Sequence, residues 1–202
     1  MSRPVATRPL PVRQRTLLLH RMLLLRHLTE GLHQPAQDEA LAAGVVSALG
    51  PGDTLVAAGW PASLLLGGHP GTAGPGQAGV AALHLPPAAT GSGPGVLFCP
   101  VHHLRSTAPS EATAEVPGSD VEAITCTAAA DVAAVRGGAE SCLLELEESD
   151  DDPVELLAAR MRVDHQLDDG ALWAMDRAAA ARATVLLGAA APEGPPGRDP
   201  RL

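Results

Sequence analysis

An α/β fold is predicted by three features of the sequence. Apolar stretches of helical length alternate with short apolar runs of strand length, glycine and proline punctuate the joins, and 202 residues suffice for one domain with a sizeable core. The first helix follows Thr16, an N-cap residue, and carries Leu17, Leu18, Met22, Leu25 and Leu28, with Leu24 and Leu32 widening the apolar face. It ends before Pro35. Because His20, Arg21, Arg26 and His27 interrupt it, the run is too short and too charged to cross a bilayer. It reads as an ordinary amphipathic helix, with an N-terminal targeting segment as the alternative. A second helix spans Asp38 to Leu49, its acids suited to the positive end of the helix dipole, and stops at Gly50-Pro51-Gly52.

Thr54–Ala57 is a short strand. Between Gly67 and Gly95 stand nine Gly and five Pro in 29 residues, too many for a packed element, and only Val80–Leu85 inside it reads as regular. Val96–Cys99 is a buried strand, Val121–Arg136 a helix closed by Gly137-Gly138, and Cys142–Leu146 a further strand. Helices follow over Val154–Val163 and Gly170–Leu187. The expected organisation is a disordered arm over 1–15, one domain over 16–191 with a Gly/Pro-rich loop at 67–95, and a flexible tail over 192–202.

Composition narrows the function. Trp60, Phe98 and Trp173 are the only aromatics, and Tyr, Lys and Asn are absent, so all 14 basic residues are Arg. Aromatic platforms for single-stranded nucleic acid are missing, and a net charge of −9 opposes a phosphate-binding surface. Neither nucleic acid nor membrane is an expected partner. The charge is unevenly placed. Residues 1–33 hold six Arg against Glu30, giving +5, and the remainder holds eight Arg against 22 acids, giving −14. Cys99, Cys126 and Cys142 are odd in number and scattered, which suits a reduced cytoplasm better than a disulfide framework.

The segment LLLHRMLLLRHLTEGLH, Leu17–His33, resembles the first helix, L-x-x-M-x-x-x-R-x-x-E, of the α subunit of thiamine-diphosphate-dependent 2-oxo acid dehydrogenases. These are the decarboxylating components of the pyruvate and branched-chain complexes. In that family G-Q-E-A-x-A-x-G-x-x-x-A-L-x-P-G-D follows. Here QDEALAAGVVSALGPGD, Gln37–Asp53, places Glu39, Ala40, Gly44, Ala48, Leu49, Pro51, Gly52 and Asp53 in register, with Gln37 and Asp38 in place of Gly-Gln. Residues 120–148 resemble the family's D-V-x-A-V helix and the strand after a Gly pair, and Ser149–Pro153 resembles its S-D-D-P turn. Leu167–Pro192 is similar to its closing helix and A-A-P exit.

The resemblance implies a reduced thiamine-diphosphate-binding-type parallel sheet flanked by helices, with a helical C-terminal segment. It implies as partner a β subunit, or a full-length α subunit, of a 2-oxo acid decarboxylase complex. The family's α subunit holds Mg²⁺ and the diphosphate through Gly-Asp-Gly and Asn-Asn, oxygen donors suited to a hard cation. This sequence has no Gly-Asp-Gly and no Asn. The family's Tyr-Arg pair is replaced near Gly59-Trp60. The strand and helix between Val80–Leu85 and Val96–Cys99 are lost, and Leu146-Glu147-Glu148 stands where a histidine-bearing loop is expected. The expectation is therefore a degenerate, non-catalytic α-like subunit with no cofactor and no catalytic residue of its own. The alternative is a functional α-like subunit that completes a thiamine diphosphate and Mg²⁺ site with a β subunit, for 2-oxo acid decarboxylation and acyl or two-carbon transfer.

Other constellations are sparse. Gly74-Pro75-Gly76-Gln77-Ala78-Gly79 fits G-x-G-x-x-G but lacks a preceding strand, and the first downstream acid is Glu111; Gly76 and Gly79 remain weak cofactor-binding candidates. Cys99, His102 and His103 form C-x-x-H-H, joined by His84 or His69 in a zinc reading, but adjacent histidines on an extended segment point opposite ways. His102 and His103 lie near the place of the family's Asn-Asn pair and are weak cofactor-binding candidates; no metal site is predicted. Cys126 is read as a small buried helix residue. The acidic run Glu145, Glu147, Glu148, Asp150, Asp151 and Asp152 has two readings, a solvated turn or a site for a cation or basic partner.

Overall fold

A computed structural model describes residues 9–31, 39–50, 54–56, 80–85, 95–100 and 114–190. Within them lie five helices, α1 (Val12–Gly31), α2 (Glu39–Ala48), α3 (Val121–Arg136), α4 (Pro153–Val163) and α5 (Asp169–Ala190). Five strands, β1 (Thr54–Val56), β2 (Val80–Leu85), β3 (Gly95–Pro100), β4 (Ala114–Pro117) and β5 (Cys142–Glu147), form one sheet in the order β1-β2-β3-β5-β4. The α/β class predicted from the alternation of helical and strand-length runs is the observed one.

The expectation of a parallel sheet needs correction. Only the outer pairs, β1 with β2 and β4 with β5, are parallel. Central β3 runs antiparallel to both neighbours, with Ala82 opposite Phe98 and Leu97 opposite Leu143. Chain length supplies the reason. Nine residues separate Leu85 from Gly95, whereas a parallel crossover needs roughly a dozen or more. A connection this short returns the chain as an antiparallel neighbour. At the other edge β4, α3 and β5 make a βαβ unit, where a 16-residue helix allows the parallel return.

The core is layered. Val96 and Phe98 of β3, Ala114 and Val116 of β4, and Cys142, Leu144 and Leu146 of β5 share one buried cluster with Ile124, Ala128, Val132 and Val135 of α3. Outside α3 lie α2 and then α1, which also packs against α4 and α5. The reading of α1 as an ordinary amphipathic helix undersells it. Leu18, Leu19, Met22, Leu23, Leu24, Leu25 and Leu28 are all buried, because α1 is enclosed on several sides. Each fully buried Leu or Met contributes roughly 1.5–3 kcal/mol, making α1 the hub of the helical layer.

One boundary also shifts. The helix begins at Val12 rather than after Thr16, and the carbonyl of Pro11 accepts from Gln14 and Arg15 N–H at 2.8 and 3.1 Å. Residues 12–15, assigned to a disordered arm, are thus helical. The helix α3 ends where predicted: Gly138 takes φ = 104°, a left-handed backbone that glycine accepts freely, and Ala139 N–H bonds Ala134 O at 3.0 Å.

Candidate functional site

The polar chemistry of the described residues concentrates where α1 meets the N-termini of three other helices. Arg15 and Arg26 are eleven residues apart, three helical turns along one face, so they stand on a common stripe with a rise of about 16 Å between them. Acids occupy the opposing helix starts: Glu39 opens α2, Asp120 caps α3 with Glu122 in its first turn, and Asp152 caps α4. Those positions favour anions because the unpaired N–H groups of a first turn carry partial positive charge.

At the first node Arg15, only 3 % exposed, donates from Nε to Glu122 Oε1 at 2.7 Å and from Nη2 to Oε2 at 3.3 Å. Its Nη1 donates to Gln166 Oε1 at 3.1 Å and pairs with Asp164. Arg160 of α4 completes the cluster, reaching Asp120 through both terminal nitrogens at 2.9 and 2.8 Å and Glu122 at 3.4 Å. The backbone N–H of Leu10 also donates to Glu122, at 3.2 Å. Burial works against the charge of Arg15, yet its bonds to Glu122 and Asp164 outweigh it and raise the guanidinium above its ordinary value. Asp120 is also penalised by burial, but Arg160 and the Ala123 N–H hold it below the usual carboxylate range.

The second node joins three elements through Arg26. Its Nε and Nη2 grip Glu39 at 3.0 and 2.8 Å, and Nη2 also meets Asp152 Oδ1 at 2.9 Å. That same Oδ1 caps α4, accepting from Val154 and Glu155 N–H at 2.8 and 3.2 Å. Glu39 is 5 % exposed, and burial pushes its carboxyl up despite Arg26. Asp152 is drawn down, its desolvation overcome by Arg26 and the two backbone donors. Elsewhere on α1, His27 Nε2 meets Asp176 Oδ1 of α5 at 2.8 Å. Arg21 pairs with the Ser47 hydroxyl near the α2 C-terminus, where a cation complements the negative helix end.

Sequence reasoning singled out none of these arginines as site residues, although Arg26 and Glu39 stood inside the quoted motifs. The available signal was their spacing: Arg15 precedes and Arg26 interrupts a leucine-rich helix run, where a guanidinium drawn partly out of water needs an anion. The weak candidates His102, His103, Gly76 and Gly79 lie outside the described residues, as does His69. For His84 and Cys99 only the strand backbone is described, with His84 opposite Val96 and Cys99 opposite Ala81. Cys126 is half-buried on α3; burial, then Glu122 and Asp120, pushes its thiol up. The acidic run divides: Glu145 is buried, Glu147 to Asp151 are exposed, and Asp152 is engaged at the second node.

The donor set does not fit a magnesium diphosphate of the kind the resemblance implies. The sequence supplies neither the Gly-Asp-Gly aspartate nor any asparagine. Among the described residues no three His, Cys, Asp or Glu side chains are placed to hold a metal ion. The most buried carboxylates of the two nodes already face guanidiniums. No helix of the described residues is long and apolar enough to cross a membrane. Comparison with family models, with curated proteins and with solved structures returns no match.

Proposed function

We propose that this chain is a degenerate α-like subunit of a thiamine-dependent 2-oxo acid dehydrogenase system, acting as a non-catalytic structural partner of its β subunit or of a full-length α subunit. One observation carries the reading. Arg26, Glu39 and Asp152 come from three separate stretches of resemblance, the first helix, the E-A-x-A-x-G segment and the S-D-D-P-like turn. They close a single ionic node, although Arg26 and Asp152 are 126 positions apart. Motif residues that matched by chance composition would have no reason to converge. The node joins three helices, which is work proper to a scaffold, and its carboxylates are engaged with guanidiniums and helix N-termini.

The test is co-expression with a β subunit of such a system from the same organism, followed by size-exclusion chromatography and calorimetric titration with thiamine diphosphate and Mg²⁺. A stable complex that takes up no cofactor at the α-like chain is the expected result. Absence of any complex with β or full-length α chains would overturn the proposal. Micromolar cofactor binding that appears only in the complex would replace it with the cofactor-completing alternative.

A further inference from the structure

The helix α5 packs on α1. On that side Ala179 and Ala183 are buried in the core, and Leu172, Met175 and Leu186 pack against it. The opposite side is apolar too. Ala171, Ala174, Ala178, Ala181, Val185 and Gly188 are all exposed and recur at alternating steps of three and four residues, along about 26 Å of helix. A solvated helix face is ordinarily polar, and this spacing is that of a seam along which a second helix lies. Arg177 and Arg182, both exposed, flank the seam on its two sides. Among the described residues neither has an ion-pair partner. Arg177 lies instead over Trp173, itself 61 % exposed, with its guanidinium carbon 4.6 Å from the ring centroid. The one acid between Ala171 and Gly188 is Asp176, and it faces α1, where its Oδ1 meets His27 Nε2 at 2.8 Å.

Charge and side-chain size choose the occupant. A face that is basic and free of acids, on a chain of net charge −9, favours an acidic partner. Alanines along the seam leave room for larger apolar side chains from the other helix. A second copy of the chain is the poorer match, because alanine against alanine buries little apolar area and arginine would meet arginine. We infer that the outer face of α5 docks an amphipathic helix of a partner protein, its leucine-type side chains on the alanine seam and its flanking glutamates on Arg177 and Arg182. This surface does not depend on the proposed subunit role.

Isolated full-length chain is titrated calorimetrically with two synthetic helical peptides of about three heptads, both with leucine at the seam positions. They differ only in the flanking residues, glutamate in one and lysine in the other, and like flanking charges oppose self-pairing of either peptide. Saturable binding of the glutamate peptide is expected, with the lysine peptide binding at least roughly tenfold more weakly. The double variant Arg177→Glu/Arg182→Glu should lose the glutamate peptide by a similar factor and take the lysine peptide in its place. Ala178→Glu should block both peptides, and Glu155→Gln should change neither. If the double variant fails to fold by circular dichroism, Arg182→Glu alone carries the comparison. The inference is overturned if the glutamate peptide does not bind saturably, if both peptides bind alike, or if the arginine or Ala178 variants bind as the wild type does. It is also overturned if sedimentation velocity shows a dimer of the free chain that Ala178→Glu dissolves, because the face then belongs to a second copy.

Discussion

His165 ends α4 with φ = 56°, the only positive φ among the described non-glycine residues. The turn is a C-terminal helix cap: Gln166 N–H reaches Met161 O at 2.8 Å, and the residue between must be left-handed. A side chain there meets the following carbonyl, a strain glycine does not feel. The His165→Gly variant should therefore gain about 0.5–1 kcal/mol in urea denaturation, after the entropy of the added glycine is subtracted. An unchanged or lower midpoint would show that the imidazole contributes something the cap geometry does not. Arg15 is the opposite case, a residue whose removal uncovers buried charge. Arg15→Met should destabilise by about 3–5 kcal/mol because Glu122 is then left desolvated, and adding Glu122→Leu should recover part of that loss. A single-variant effect below about 1 kcal/mol, as for a surface pair, would refute the buried-node description.

Between elements, α2 and α3 come close together at Gly44. A Cβ at that position of α2 would lie 2.7 Å from Ile124 Cγ2 and 3.2 Å from Thr125 Oγ1 of α3. The glycine lets the two helices approach, at the helix-propensity cost of about 1 kcal/mol. Gly44→Ala should destabilise by about 1–3 kcal/mol despite its better propensity. The loss should shrink in an Ile124→Leu background, which moves the branch off Cβ; equal losses in both backgrounds would place the clash elsewhere. Element boundaries show where pattern suffices. The strand Val80–Leu85 and the helix Val121–Arg136 carry their own punctuation and are observed as predicted. β4 went unread because an edge strand of four residues, AEVP, alternates buried and exposed positions with only Ala114 and Val116 inward. The early start of α1 was hidden by Pro9 and Pro11, which suggested disorder, although proline is at home at a helix start.

Across the whole molecule, the lopsided charge of the sequence becomes a pairing scheme. Arg15 and Arg26, from the +5 N-terminal stretch, sit against Glu39, Glu122, Asp152 and Asp164 of the −14 remainder. Stability should follow pH accordingly. Asp120 and Asp152 titrate below their ordinary 3.8 in the fold, so the stability they contribute is present above that value and lost as pH falls through the folded values. Glu39 has the opposite sign. Raised above 4.5, it favours the fold in acid and opposes it as pH rises through the folded value. The urea midpoint should therefore hold or rise slightly from pH 7 toward about 5 and collapse below about 4, less steeply in Asp120→Asn. A steady decline between pH 7 and 5 would contradict these assignments.

Sequence alone determined the α/β class, the positions of most helices and strands, and the three motif stretches that meet at Arg26. Those properties reside in local periodicity, caps and breakers, which act over a turn or two of chain. The tertiary structure decided three things: that β3 turns back antiparallel, that α1 is enclosed rather than one-faced, and which acids neutralise Arg15 and Arg26. It also showed that Glu145, one letter in an acidic run, is buried without a partner while Glu147 to Asp151 stay in solvent. Such properties depend on contacts between residues as much as 151 positions apart, as between Arg15 and Gln166, and no local window of sequence contains both partners.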